Sequence, residues 1–229
     1  MKKTIFSKAI AILGSIAMLV GVAACGPTLR EILTMNYEEV LKQLRSVGNP
    51  VPSSRFQVAI PDAREELHKA MTVVLSSMGE RLQWLPEYDE VAEWLAGNKG
   101  KGLFLYGNCG RGKSLLVRYA IPMLFRGFCQ RIVTVVDCGT NQHNIDEILR
   151  HKFIALDDIG TEVDRKDYGT LRNVVVEAIN KAQDDPGVML VMSSNLSGDA
   201  IRDRYGDRIL DRIKYLCQRV AFNGKSLRK

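Results

Sequence analysis

The chain has 229 residues, 46% hydrophobic and 25% charged, with a net charge of +6. That length and balance suit one compact domain with an appendage, or two small ones, and exclude a low-complexity polymer. The positive excess is local: residues 202–229 carry nine basic residues against Asp203, Asp207 and Asp211, which accounts for all of it. A basic surface there would meet phosphate, of a nucleotide or of a nucleic acid, while a solvated helix with interleaved charges explains the same residues. The five cysteines form no C-x-x-C pair and the three histidines have no ligand spacing, which argues against a zinc site. Cys129, Cys138 and Cys217 lie among apolar residues and read as buried free thiols of a reducing compartment.

In chain order, residues 1–26 come first. Lys2, Lys3 and Lys8 precede sixteen uncharged residues, "AIAILGSIAMLVGVAA", and then Cys25. The run is short for a membrane span but suits a signal peptide, and "VAAC" is like a bacterial lipoprotein processing box with Cys25 as the lipidated residue.

Residues 27–97 read as a helical N-terminal region. "MNYEEVLKQLRSV" (35–47) has helical spacing and "GNPVPSS" (48–54) interrupts it. A second helix is expected from Pro61, with Leu67, Met71, Val74, Leu75 and Met78 at three- and four-residue steps. A third, "YDEVAEWLAG" (88–97), ends at a glycine. These helices are either a partner-binding module or packing for the main domain.

Residues 98–229 change pattern. Apolar runs appear at "GLFLYG" (102–107), "RIVTVVDC" (131–138), "KFIALDDIG" (152–160), "VMLVMSSN" (188–195) and "QRVAF" (218–222). Helical stretches are expected between them at 113–126, 141–150, 165–183 and 198–216. Strands without polar alternation, separated by helices, predict an α/β fold with a parallel sheet covered on both faces.

"GNCGRGKS" (107–114) matches G-x-x-x-x-G-K-[ST] between a predicted strand and a predicted helix, the context that a phosphate-binding loop requires. Gly107, Asn108, Cys109, Gly110, Arg111 and Gly112 would turn their amides toward the phosphates. Lys113 would reach the β- and γ-phosphates of ATP, and Ser114 would hold Mg²⁺. "FIALDDIG" then delivers two adjacent carboxylates at the end of a strand, 44 residues after Lys113. Asp157 would orient Mg²⁺, and Asp158 would position or deprotonate the attacking water. In "VMLVMSSN", Asn195 closes a wholly apolar strand, from which its amide would touch the γ-phosphate or the water. A cap for the next helix is the alternative. Arg204, Arg208 and Arg212 recur every four residues and are expected on one helical face, as a guanidinium row or a solvated ion-pair ladder.

With these residues in view, the chain resembles the AAA+ ATPases of the DnaC-type helicase loaders and IstB-like transposition helpers. "YGNCGRGKS", "LDDIGTE", "SSNLS", "RYGDRILDRI" and "GKSLR" carry the likeness in order over residues 90–229. It implies a P-loop sheet in which the Asn195 strand lies between those of the phosphate loop and the acidic pair. It also implies sensor 1 at Asn195, an arginine finger at Arg212 acting on a neighbouring subunit, and a sensor 2 arginine at Arg228; Glu162 matches the family's G-T-E. The sequence departs from the pattern in ending its second motif Asp-Asp, where many relatives have Asp-Glu, and in placing Arg111 where a small or hydroxyl residue is usual. It also ends just past "SLRK", so a helical lid is not expected.

The resemblance implies slow, assembly-dependent ATP hydrolysis with Mg²⁺, in a homo-oligomer formed with ATP on single-stranded DNA or a DNA-bound partner. That partner is a replicative helicase, for a loader, or a transposase, for a transposition helper. An ATP-driven machine belongs in the cytoplasm, at odds with the first 25 residues. Either that segment is a genuine membrane anchor, or the chain begins further on, at Met35 for example, or the segment was appended. A membrane-anchored NTPase of unknown client is therefore the reading from a different class.

Overall fold

The computed structural model describes residues 36–48, 54–140, 144–167 and 170–227. The signal-like segment, Cys25 and Arg228 lie outside the described residues. The chain divides into two units between Pro52 and Ser53. In the first, the described residues form helix α1 (Tyr37–Ser46), capped by Asn36, whose side chain accepts from Glu38 N.

The second unit is built on a five-stranded sheet. Its strands are β1 (Gly102–Gly107), β2 (Thr134–Asp137), β3 (Phe153–Ile159), β6 (Met189–Ser194) and β7 (Cys217–Phe222). They pair in parallel in the order β2-β3-β6-β1-β7. The strand leading to Asn195 therefore lies between the phosphate-loop strand and the acidic-pair strand, as the resemblance implies. The three central strands lack polar alternation because helices cover both faces. Leu103, Leu105, Phe153, Ala155 and Val191 face one core, and Phe104, Ile154, Leu156, Leu190 and Met192 the other.

The first core is completed by helices α2 (Ala63–Ser77), α3 (Pro86–Ala96) and α4. Leu67, Met71, Tyr88 and Trp94 of α2 and α3 pack in the same cluster as Leu103 and Leu105. The unit that carries the sheet thus begins well before residue 98, and α2 and α3 are part of its packing. Helix α4 comprises an α-helical turn Lys113–Leu115, a π-helical segment Leu116–Ala120 and an α-helical remainder Ile121–Phe128. Pro122, at the start of the remainder, has no N–H to give the preceding turn, and the wider π turn precedes it.

The second core is completed by α5 (Ile145–Ile148), α6 (Val174–Asp184), α7 (Gly198–Tyr205) and α8 (Asp207–Leu216). Two predicted helices differ here. Strands β4 (Arg165–Asp167) and β5 (Thr170–Arg172) pair antiparallel within 165–183, and the helix begins only at Val174. Asn173 starts it, its side chain accepting from Val175 N and Val176 N. The stretch 198–216 is broken at Gly206, whose φ of 83° and ψ of 163° no helix contains. Arg204 therefore sits on α7 while Arg208 and Arg212 sit on α8, and the three do not share one helical face. Among the described residues, Cys109, Cys129, Cys138 and Cys217 are free thiols, with Cys138 and Cys217 buried, Cys129 half-buried and Cys109 exposed. No helix among them is long and apolar enough to cross a membrane.

Candidate functional site

The end of β1 turns into α4 through residues 108–112. Gly107 and Gly112 have φ of 115° and 87°, which side chains rarely adopt. Space forbids a side chain as well: a Cβ would lie 2.5 Å from Phe222 O at Gly107 and 2.4 Å from Tyr88 Oη at Gly112. The loop is tied to the strand and tail beside it. Asn108 N donates to Phe222 O at 2.8 Å, Asn108 Nδ2 to Gly224 O at 2.8 Å, and Leu227 N to Gly110 O at 2.9 Å. Lys113 is only 6% exposed. Its Nζ donates to Gly107 O at 2.8 Å, to Asn108 O at 2.7 Å and to Asn195 Oδ1 at 2.8 Å.

The acidic pair stands opposite, at the end of β3. Asp157 is 2% exposed, and both of its carboxylate oxygens are engaged. Oδ1 accepts from Ser193 Oγ at 2.5 Å and Oδ2 from Arg118 Nε at 2.6 Å. The same guanidinium pairs with Asp137, which lies opposite Asp157 in the β2–β3 register. Past Leu156 the pairing of β3 with β6 slips before resuming at Ile159, and Asp158 takes the left-handed φ of 59°. This bulge turns Asp158 out of the strand, where Oδ1 accepts from Asn195 Nδ2 at 2.7 Å and the backbone N–H donates to Ser193 Oγ at 2.8 Å. Burial and then the Asp157 charge push the Asp158 carboxyl up, while Lys113 and the Asn195 hydrogen bond pull it the other way.

Asn195 is thus the junction of the site, its carbonyl oxygen on Lys113 and its amide nitrogen on Asp158. It is not the cap of the next helix: Ser197 holds that place, accepting from Ala200 N. The fold brings Lys113, Asp157, Asp158 and Asn195 together. Ser114 is half-buried where the loop enters α4. Among the described residues no group of three or more His, Cys, Asp or Glu side chains is arranged for a metal ion. A hydroxyl and one carboxylate nonetheless suit Mg²⁺, which takes oxygen ligands and shares them with substrate phosphates. Ser114 and Asp157 would supply that donor set, with Arg118 already on Asp157 Oδ2.

The arginines of the C-terminal helices are distributed otherwise. Arg212 Nη1 donates to Asn180 Oδ1 of α6, and Arg208 is exposed. Arg204 pairs with Glu162, a buried carboxylate that also accepts from Tyr205 Oη at 2.6 Å, Gly160 N at 2.8 Å and Asn173 Nδ2 at 3.1 Å. Cys109 lies exposed on the loop, and the Arg111 side chain is turned to Glu87 of α3. Arg118, Ser193 and Asp137 were not singled out from the sequence. Signals existed for each: Arg118 follows Lys113 by five residues on a predicted helix, Ser193 is one strand period before Asn195, and Asp137 closes its own strand. Glu87 left no such signal, because its partner is remote in sequence.

No protein-family model matches the chain, and no characterised protein matches it by sequence. Solved structures similar to it include a candidate primosome component from Streptococcus pyogenes serotype M3, 20% identical, covering 75% of this chain and 93% of that one with a TM-score of 0.47. They also include DnaI, at 21% identity, 56% and 73% coverage and a TM-score of 0.43. The DnaC helicase loader is 17% identical, with 54% and 79% coverage and a TM-score of 0.44. At these scores the likeness carries no argument about function, which rests on the residues of the site.

Proposed function

We propose that this chain is a P-loop ATPase of the AAA+ type that binds ATP with Mg²⁺ and hydrolyses it slowly in a self-assembled form. The observation that carries the proposal is the Asn195 junction: one side-chain amide links the lysine of the phosphate loop to the second carboxylate of the acidic pair. A lysine that donates to two main-chain carbonyls and a side-chain amide can exchange these acceptors for phosphate oxygens. Asp158 sits where Asn195 aims it, and its carboxyl, raised by burial and by the Asp157 charge, suits a group that takes a proton from water. Ser114 and Asp157 would hold Mg²⁺, which would supply charge neutralisation at the phosphates.

ATP serves in this reading as an assembly switch, with Arg212 reaching the site of a neighbouring subunit. The client is DNA-linked, and the sequence motifs favour a replicative-helicase loader that also meets single-stranded DNA through its basic C-terminal stretch. The test is a binding and turnover comparison of Lys113→Ala and Asn195→Ala with the parent chain. Lys113→Ala is expected to lose nucleotide binding; Asn195→Ala is expected to keep it and lose turnover. Full activity in a folded Lys113→Ala chain overturns the proposal.

A further inference from the structure

Arg111 departs from the pattern that its neighbours follow, and its surroundings show what the side chain does instead. It is 9% exposed, and its Nε and Nη2 both donate to Glu87 Oε1, at 2.9 and 2.6 Å. Nη1 donates to Lys225 O at 3.1 Å. The Arg111 carbonyl accepts from Tyr88 Oη at 3.0 Å, so α3 holds this residue by its main chain as well. On the other side the tail closes over it: Gly224, at φ 113°, passes so near that a Cβ there would lie 2.9 Å from Arg111 Nη1. Three residues on, Leu227 N is bonded to Gly110 O.

Glu87 is 7% exposed, and among the described residues its Oε2 has no hydrogen-bond partner. A buried carboxylate with one bare oxygen is a poor device for stability, since desolvation opposes the ion-pair attraction and an apolar pair of similar volume does as well. What it supplies is position. The guanidinium is drawn to α3 and away from any ligand cradled by residues 107–114. The loop is thereby braced between α3, which packs on one face of the sheet, and the tail that follows β7.

We propose that Glu87 is a positioning residue for the phosphate loop: through Arg111 it holds the loop in its binding-competent shape, and Arg111 does not itself contact phosphate. This rests on the nucleotide-site reading above. If only a fraction of the chains has a competent loop, apparent affinity falls by that fraction, so loss of the brace acts on binding. Such a loss falls on KM more than on kcat.

The test uses the full chain with ADP as the probe, and hydrogen exchange of the nucleotide-free protein as a second measurement. Glu87→Gln and Arg111→Met are each expected to weaken ADP binding by about tenfold. The double variant is expected to be no weaker than either single by more than about twofold, because both remove one brace. Amides of residues 110–113 and of Leu227 should exchange faster without nucleotide in all three. If Glu87→Gln tightens ADP binding or leaves it unchanged while Arg111→Met weakens it, Arg111 is a phosphate ligand and the proposal fails. Unchanged exchange in the loop also overturns it. Should the single variants not fold, Glu87→Leu combined with Arg111→Met keeps volume without charge; it is expected to fold with faster loop exchange, and parental exchange there refutes the brace. A parent chain that binds no ADP overturns the nucleotide reading instead, and the exchange measurement still decides the brace.

Discussion

Arg118 Nε donates to Asp157 Oδ2 at 2.6 Å, so a helix that begins at the phosphate loop grips the first carboxylate of the acidic pair. The same guanidinium reaches Asp137, and with Ser193 on the other oxygen the Asp157 side chain is held from two directions. One cation thereby bridges the carboxylates of Asp137 and Asp157 at the ends of β2 and β3. Asp157 is oriented before any ligand arrives.

Removing that cation is expected to cost stability. Arg118→Ala leaves a buried carboxylate with Ser193 alone, a loss of about 1–3 kcal/mol on the scale of hydrogen bonds to charged groups. Arg118→Lys should recover only part of it, because an ammonium does not span two carboxylates as a planar fork does. Urea midpoints of the three proteins measure this; equal midpoints for the alanine variant and the parent would show that the bridge contributes nothing.

Asp158 predicts a pH dependence. Its carboxyl is raised by burial and by Asp157, so the folded chain holds this proton more tightly than the unfolded chain does. The sign follows: the contribution is fully present below the ordinary Asp value of about 3.9 and is lost as pH rises through the higher folded value. Stability of the parent relative to Asp158→Asn should therefore decline over that window, while turnover climbs as the base deprotonates. Denaturation curves taken stepwise upward from about pH 4 test this; a stability difference that stays flat with pH contradicts it.

Glu162 ties the loop after β3 to the C-terminal end of α7. Tyr205→Phe removes one donor from the Glu162 carboxylate and Arg204→Ala removes two, while Gly160 N and Asn173 Nδ2 remain; the expected losses are about 1 and about 1–2 kcal/mol. Both leave Lys113 and Asn195 untouched, so ADP affinity should hold while the melting temperature falls. Loss of ADP binding in Tyr205→Phe would mean that the node transmits to the site.

Arg212 tests whether the site is completed by a second subunit. Within its own chain the guanidinium is on Asn180, remote from Lys113 in the described contacts. A finger acting in trans predicts that Arg212→Ala keeps nucleotide binding and loses turnover, by a factor on the order of 10³ or more. Mixed with Lys113→Ala, which has intact arginines, it should regain measurable turnover. Two inactive proteins that never complement at any mixing ratio, with light scattering of a monomer in ATP, leave an ATPase that works alone.

Much of this was legible in the residues. The apolar runs of β1, β3 and β6 announced a sheet buried on both faces, because strands with no polar side have no face to give to water. "GNCGRGKS", "LDDIG" and "SSN" named the loop, the pair and the junction, since glycine φ angles and strand-end polar residues are local demands. Which strand lies beside which came from the resemblance and not from periodicity, and that adjacency puts Asn195 between Lys113 and Asp158.

The remainder was decided by tertiary contacts. Periodicity read 198–216 as one helix and set three arginines in a row. A single backbone angle at Gly206 sends Arg204 to Glu162 and leaves Arg212 to Asn180. It read 165–183 as helix too, where the paired strands β4 and β5 precede the Asn173 cap. Periodicity left open whether a partner or the main domain covers the apolar faces of α2 and α3, because it says only that something covers them; they share a core with β1 and α4. Arg111 is the sharpest case. Its identity announced a charge in the phosphate loop, but only the fold could say that Glu87, 24 residues earlier on another helix, holds that charge. A guanidinium goes to the nearest carboxylate in space, and distance in space is what a sequence leaves unstated.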